Sequence, residues 1–404
     1  MKFLRHGIVT GGLIGALWAL VVAVTVSVAL SFATGEGFRP AIWSCLVLGF
    51  AAGLLVVFLY KLYALIAITC VVGVLAMYTP LHPIATGETV GTLPSLLSGL
   101  LFGLFLSLPL YNILKEASPG ALTRHEFEDS VIRFLTGFGY VFFTAIVLIP
   151  FYVMVMTSLK SQQALLKNPL DFSIDLSRGM DLFHSYFELF EQFNFGNYLW
   201  TSFYVSVLTV FITLVFSVPG AYAVARLKFR GQAAFSRSIL LIYMVPMIVL
   251  ALPIYIVYSK TGLRNTIPGL IMIYPVTTIP VALYMLQGYF RGLPEEIEEA
   301  GLMDGLSRLL VIWKITLPLS LPALVSVSLY VFMIAWNEFL LAFMLLDDPS
   351  KFTLTRGVSM LNSSEIPRQH LMAGAVIATI PIMVLFLGLE RFMTKGLTAG
   401  SVKG

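Results

Sequence analysis

Apolar residues run along this chain in stretches much longer than a soluble helix or strand requires, parted by short polar breaks. A helix needs about 20 mostly apolar residues to cross roughly 30 Å of hydrocarbon, and runs of that kind predict ten membrane-spanning helices. They lie near 9–33, 41–60, 62–79, 93–114, 134–158, 199–225, 238–259, 267–290, 319–346 and 371–389. Lys2 and Arg5 precede the first run, as they would in a secretory signal, but the run exceeds the roughly 7–15 apolar residues of such a segment and reads as a retained helix. Only Tyr60 and Lys61 part the second and third runs, which implies a tight hairpin rather than one segment too long to fit.

Composition turns this pattern into a class. Of 404 residues, 58% are apolar and 11% charged, whereas a soluble domain carries about a quarter charged residues. The expectation is an all-α polytopic membrane protein. The net charge of +4 includes no basic run of the kind that grips nucleic acid, so nucleic acid is not an expected partner. Cys45 and Cys70 sit singly in apolar runs and the five histidines are scattered. No disulfide framework, metal site or cofactor is expected from them.

Basic residues set the orientation, because loops rich in Lys and Arg stay cytoplasmic. With the N-terminus inside, 16 of the 25 Lys and Arg fall on the inner side, from Lys2 and Arg5 through Lys61, Lys115, Arg226 and Lys228 to Arg391 and Lys403. Both termini are expected in the cytoplasm. A polar stretch at 115–133 divides the chain into a four-helix N-terminal extension, 1–114, and a six-helix core, 134–404. In the extension Gly7, Gly11 and Gly15 recur at four-residue spacing, as do Gly49 with Gly53 and Gly99 with Gly103, a pattern that lets helix backbones approach closely. The outer segment 159–198 carries Phe172, Phe183, Tyr186, Phe187, Phe190, Phe193 and Phe195, and is expected to fold back on the bundle.

Ionisable groups inside hydrocarbon are costly and usually mark ion paths. Here Glu338 alone lies well inside a predicted run. That argues against an ion-coupled carrier, which would show several buried acids or interrupted helices around a central site. The sequence also lacks a phosphate-binding Gly-x-x-x-x-Gly-Lys loop, a zinc-binding His-Glu-x-x-His pair and a Gly-x-Ser-x-Gly nucleophile turn. Energy for transport would therefore enter from a partner.

One cytoplasmic loop, 291–318, carries a pattern of its own. Pro294 suits the first position of a helix, and Glu295, Glu296, Glu298 and Glu299 set negative charge against the positive end of its dipole. Ile297, Ala300 and Gly301 are expected to share one small face. Gly305 then permits a sharp turn before a second helical stretch, 306–316. An acidic first turn would be repelled by anionic lipid headgroups, which favours docking to protein over lying on the membrane.

Glu299-Ala300-Gly301, then Gly305, Ile315, Leu317 and Pro318, resemble the spaced coupling-loop motif of permease subunits in binding-protein-dependent ABC importers. Gly301 stands where that motif usually has a second alanine. The resemblance covers 134–404, and within it 335–346 and 396–404 resemble the carbohydrate-uptake branch, most closely the second membrane subunits of maltose-type importers. It implies a permease without enzymatic activity, working with a second permease subunit, a dimeric cytoplasmic ATPase and an extracytoplasmic sugar-binding protein, in a bacterial inner membrane.

By the same resemblance, Glu299, Ala300, Gly301, Asp304, Gly305, Ile315, Leu317 and Pro318 couple to the ATPase. The tail Leu397, Thr398, Ala399, Gly400, Ser401, Val402, Lys403 and Gly404 reaches it as well. Asn362, Ser363, Ser364, Glu365 and Ile366 occupy the position of the loop that enters the binding protein, although Asn362 is the one residue that fits by identity. Trp336, Asn337 and Glu338 combine an aromatic face with hydrogen-bonding groups, so they are candidates for lining the sugar pathway; the competing expectation is that Asn337 and Glu338 satisfy each other or neighbouring helices. A membrane scaffold or sensor that moves nothing is the alternative function, and the intact loop motif weighs against it.

Overall fold

All ten apolar runs are helical in the computed structural model, but two of them break. The structure describes residues 5–59, 61–87, 90–169, 171–363 and 365–398, without the side chains of Leu176, Leu240, Ile242, Tyr243 and 391–398. By its contacts the chain divides into two units, Met1–Leu182 and Phe183–Gly404.

The first unit holds α1 (Gly7–Thr34), α2 (Ile42–Phe58), α3 (Leu62–Ala76), α4 (Thr92–Ile113), α5 (Arg124–Ser158) and the short α6 (Gln162–Lys167). Packing is tightest between α1 and α2 and between α3 and α4, where glycines meet backbone directly. A Cβ at Gly15 would overlap the backbone of Gly49 and Gly53, and one at Gly103 the backbone of Thr69 and Cys70. Trp18, Val22, Phe102, Leu106 and Leu110 fill the core of this unit, and the Trp18 indole donates to the Phe105 carbonyl at 3.2 Å.

Two short strands, β1 (Phe38–Pro40) and β2 (Ile84–Thr86), pair antiparallel with Phe38 opposite Thr86. Strands of three residues are too short to leave an alternation in the sequence. The polar stretch at 115–133 is helical from Arg124 onward, because Thr123 and Glu126 form a reciprocal capping box. Glu126 accepts from the Thr123 amide at 2.8 Å, and Thr123 Oγ1 accepts from the Glu126 amide at 3.3 Å. Part of the aromatic segment folds back, with Phe172 packed edge-on against Phe32 at a ring-centroid distance of 5.3 Å, whereas Phe183, Phe187 and Phe190 stay exposed.

The second unit contains α7 (His184–Gln192), α8 (Phe195–Arg226), α9 (Gln232–Tyr243), α10 (Met247–Thr261), α11 (Ile267–Gly292), α12 (Glu295–Met303), α13 (Arg308–Val311), α14 (Leu317–Leu319), α15 (Leu321–Asn337), α16 (Leu340–Leu345), α17 (Leu354–Met360) and α18 (Arg368–Thr398). Helix α8 packs along α11, and α15 lies against both α8 and α18. Inside, Thr213 and Thr278 share a hydroxyl–hydroxyl bond of 2.6 Å, so these polar groups on α8 and α11 satisfy each other. Phe195, Leu189, Tyr274, Trp336 and Leu341 belong to one buried cluster.

The two breaks have local causes. The seventh run, expected at 238–259, stops after Tyr243 and resumes at Met247, because Pro246 disfavours helical backbone at Val245. The ninth run, expected as one helix over 319–346, is interrupted twice. Arg308–Leu319 and Leu321–Asn337 meet at 79° about Ser320, where Pro318 and Pro322 remove backbone donors on both sides. The helix ends again at Asn337, and α16 restarts at Leu340. Among the described residues six helices are long and apolar enough to cross a membrane, with a seventh when the bent pair is counted as one span.

Candidate coupling site

Helix α12 is short, acidic at its start and closed at its end by backbone geometry. Glu295, Glu296 and Glu298 lie in its first turn. At the other end Gly305 has φ +85°, a left-handed conformation that glycine adopts without steric cost. The Leu306 amide donates to the Gly301 carbonyl at 3.1 Å and the Gly305 amide to Leu302 at 3.0 Å. Together these bonds form a Schellman cap, with Leu306 folded back toward Gly301 as the cap's apolar contact. Ser307 then caps α13, accepting from the Leu310 amide, and a π-type turn at Ile312–Thr316 leads to Leu317 and Pro318.

The faces of α12 differ from the sequence expectation in one respect. Ile297, Glu299 and Ala300 are all exposed, giving an open patch with an acid at its edge. Gly301 does not belong to that patch: it is buried and faces Ile315, Val311 and Leu306 within the loop itself. The reason is angular, since Gly301 follows Glu298 by three positions and shares its inward side. Asp304 is exposed at the C-cap, Ile315 and Leu317 are half-buried, and Pro318 is exposed.

Glu298, which the motif does not include, is the buried acid of the helix at 7% exposure. Its carboxylate accepts from the Tyr222 hydroxyl at 3.1 Å and from Thr316 Oγ1 at 3.0 Å, and Arg226 Nε lies 3.5 Å away. Arg226, the last residue of α8, also donates to Glu295 at 3.1 Å and to the Leu293 carbonyl at 2.6 Å. A cation at a helix C-terminus complements the dipole, so α8 ends on a group suited to hold the acidic start of α12. The signal available in the sequence was the three-residue spacing of Glu298 from Glu295 and Gly301, together with the lone Arg226 closing an apolar run.

The pathway candidates do not converge. The Trp336 indole is buried and donates to the Ala378 carbonyl at 3.1 Å. Asn337 is exposed and bonds back to the Met333 carbonyl at 2.9 Å. Glu338 turns its carboxylate onto the start of α16, accepting from the amides of Leu341 at 2.9 Å and Ala342 at 3.1 Å. Asn337 and Glu338 therefore satisfy the backbone rather than each other.

At the far end of the same unit, the 346–353 segment is tied down by the turn before α11. Asn265, at φ +56°, accepts from the amides of Asp347 at 3.1 Å and Asp348 at 3.0 Å. The hydroxyl and amide of Ser350, followed by Lys351, hold the Asp348 carboxyl below its ordinary range. Between α17 and α18, Asn362, Ser363 and Glu365 are exposed and Ile366 is half-buried, its amide bonded to Ser363 Oγ at 3.3 Å; Ser364 lies outside the described residues. Leu397 and Thr398 end α18, while Ala399, Gly400, Ser401, Val402, Lys403 and Gly404 lie outside the described residues. No group of three or more metal-ligating side chains gathers among the described residues.

A polytopic helical bundle that presents a capped, acid-tipped helix has the build of a membrane permease. The family model described as the binding-protein-dependent transport system inner membrane component matches residues 217–398. The chain is 37% identical over 270 residues to the inner membrane ABC transporter permease protein YcjP of Escherichia coli, covering 66% of this chain and 95% of that protein. It is 32% identical over 280 residues to the trehalose/maltose transport system permease protein MalG of Thermococcus litoralis, covering 69% and 99%. The trehalose transport system permease protein SugB of Mycobacterium tuberculosis is 37% identical over 227 residues, covering 55% and 82%. In fold the chain is similar to a solved bacterial ABC transporter that imports the acidic polysaccharide alginate, with TM-score 0.56 and 22% identity over 67% of this chain and 98% of that one. This chain belongs to the inner-membrane permease components of binding-protein-dependent transport systems.

Proposed function

We propose that this protein is one of two membrane-spanning subunits of an ATP-driven importer that moves a sugar or oligosaccharide, an α-glucoside such as maltose among them, into the cytoplasm. Family membership supports the permease role, and the sugar-system permeases among its relatives support the cargo class. The observation that carries the mechanism is the division of α12 into two faces. Glu299 and Ala300 are presented outward, while Glu298 and Gly301 are held by the permease itself. A helix fixed on one side and open on the other is built to receive a push.

In this reading a separate dimeric ATPase engages Glu299, Ala300 and Asp304, with Gly305, Ile315, Leu317 and Pro318 shaping the loop behind them. The tail Leu397–Gly404 makes a second contact with the ATPase. A sugar-binding protein on the opposite side meets 362–366. Ten helices span a bacterial inner membrane with both termini in the cytoplasm, and 1–114 form a four-helix extension to a six-helix core at 134–404. Relatives matched over nearly their whole length leave about a third of this chain uncovered, in keeping with such an extension. Of the pathway candidates, Asn337 alone keeps its side chain on an exposed face.

The test is a photocrosslink from Ala300→Cys in native membranes, with the product identified by mass spectrometry. The expected product is an ATPase subunit carrying a phosphate-binding loop. Labelling of this cysteine that never captures such a subunit would sink the coupling assignment.

A further inference from the structure

The buried carboxylate of Glu298 joins three segments of the chain, and its partners lie on elements with different roles. Tyr222 and Arg226 sit on the last turns of α8, the helix that packs along α11 through the bundle. Thr316 ends the π-type turn that leads into Leu317 and α15. Glu298 sits on α12, back to back with the exposed Glu299. Without this carboxylate, α12 would keep its chain links at Leu293-Pro294 and the left-handed Gly305, the packing of Gly301 on Ile315, and the Arg226–Glu295 pair, whose acid is 73% exposed; Glu298 adds the buried polar tie between α12 and α8.

Burial determines what the carboxylate does. Glu298 is 7% exposed and the Arg226 side chain 5% exposed, so neither charge is free to exchange its partner for water without moving α12 away from α8. A buried ion pair contributes little net stability but strongly penalises separation, because each group would then be left uncompensated. The pair therefore acts as a clamp that keeps α12 and the end of α8 moving as one body.

We infer that Glu298 is the positioning residue that transmits displacement of α12 to α8 through Tyr222 and Arg226, while the exposed Glu299 serves the contact with the partner. This rests on the permease reading above and adds to it the route by which the push enters the bundle. Two adjacent acids thereby take different roles. Loss of Glu299 weakens docking, whereas loss of Glu298 leaves docking intact and disconnects it from the pore.

The experiment uses the complete importer, with its second permease subunit, ATPase and binding protein, reconstituted in nanodiscs, and reads ATP hydrolysis without and with the sugar-loaded binding protein. Wild type, Glu298→Gln, Tyr222→Phe and the double variant are compared in complexes that retain the ATPase at wild-type stoichiometry. The expected result is unchanged basal hydrolysis with stimulation by the binding protein reduced about fivefold or more in Glu298→Gln. Tyr222→Phe should lose part of the stimulation, and the double variant should be no worse than Glu298→Gln, because both remove the same link. Full stimulation in a fully assembled Glu298→Gln complex overturns the inference. If Glu298→Gln does not assemble, Tyr222→Phe decides, since it removes a single hydroxyl, and unchanged stimulation there overturns the inference equally. A wild-type complex whose hydrolysis ignores the binding protein overturns the permease reading itself, and this inference with it.

Discussion

Gly301 faces the tip of Ile315 so closely that a Cβ built on the glycine would stand 2.5 Å from Ile315 Cδ1. The two residues belong to one motif and lie on either side of the Gly305 turn, and the folded-back loop places them in each other's space. Glycine at 301, in the place where the resembling motif has alanine, is thus matched to the isoleucine that fills the gap.

Alanine at 301 brings two opposing effects. It gains about 1 kcal/mol of helix propensity over glycine. It also overpacks the contact, which costs about 1–3 kcal/mol unless the isoleucine tip gives way. Because the obstructing atom is the far end of a flexible side chain, Gly301→Ala alone is expected to change stability by no more than about 1 kcal/mol. Ile315→Val removes the obstructing Cδ1 and should cost about 0.5–1.5 kcal/mol alone. The double variant should be more stable than the sum of the singles predicts. Thermal melts of the purified permease in one detergent test this; strict additivity would mean that the two residues do not share the space.

Gly305 tests the turn without any packing contribution. Nothing lies within 4 Å of where its Cβ would stand, so a substitution there acts through the φ of +85° alone. Left-handed backbone costs an ordinary L-residue about 1–2 kcal/mol, and asparagine less. Binding-protein-stimulated ATP hydrolysis should therefore fall in the order Gly, Asn, Ala, Val at position 305. A ranking by side-chain size that places Asn below Ala would show that bulk against a partner, not backbone conformation, sets the effect.

Much of this loop was legible in the sequence, because its devices are local. Pro294, the acidic first turn and Gly305 each act within a few residues, and the structure places a short helix and a left-handed turn there, with Pro294 at the N-cap, one position before the first helical residue expected of it. Long apolar runs likewise announced their helices. Hidden from sequence were relationships across large separations: Tyr222 lies 76 residues from Glu298, and the bond between them leaves no periodic trace. The break after Asn337 was hidden for a different reason, since Glu338 in an apolar run reads as a functional charge until its carboxylate is seen on the amides of α16.

Outside the membrane-spanning helices, Lys160 and Asp171 form a pair at 2.6 Å with the lysine side chain 9% exposed. Burial alone would raise the Asp171 carboxyl. The bonds from Lys160 and from the Ser173 hydroxyl and amide outweigh it and bring the group below its ordinary 3.8. A carboxyl depressed in the folded state adds stability that is complete above its unfolded value of about 3.9 and is lost as pH falls through the lower folded value. Asp171→Asn should thus loosen 160–182 by about 1–3 kcal/mol at pH 7, because Lys160 is left without its carboxylate. Hydrogen exchange of this segment in wild type and variant should converge in acid below the folded titration. A difference that stays constant as pH falls through the titration would assign the effect to shape rather than charge.

Glu338 allows a direct choice between a structural and a transport role for a charged residue in an apolar run. If its carboxylate is a helix cap, Glu338→Gln keeps one accepting oxygen for the α16 amides and should cost little. Glu338→Ala loses both bonds and should cost about 0.5–2 kcal/mol, the usual range for a lost N-terminal cap. Thr355 supports the same corner differently, donating to the Glu338 backbone carbonyl at 2.6 Å. Its bond does not need the carboxylate, so Thr355→Val should add its own destabilisation even in the Glu338→Ala background. Throughout this series the KM of the reconstituted importer for the sugar it accumulates should stay within about threefold of wild type, because a cap holds the helix and does not touch cargo. A Glu338→Gln importer with an unaltered melting temperature and a KM raised about tenfold or more would place the carboxylate in the pathway instead, and the break at 338 would then serve cargo rather than the fold.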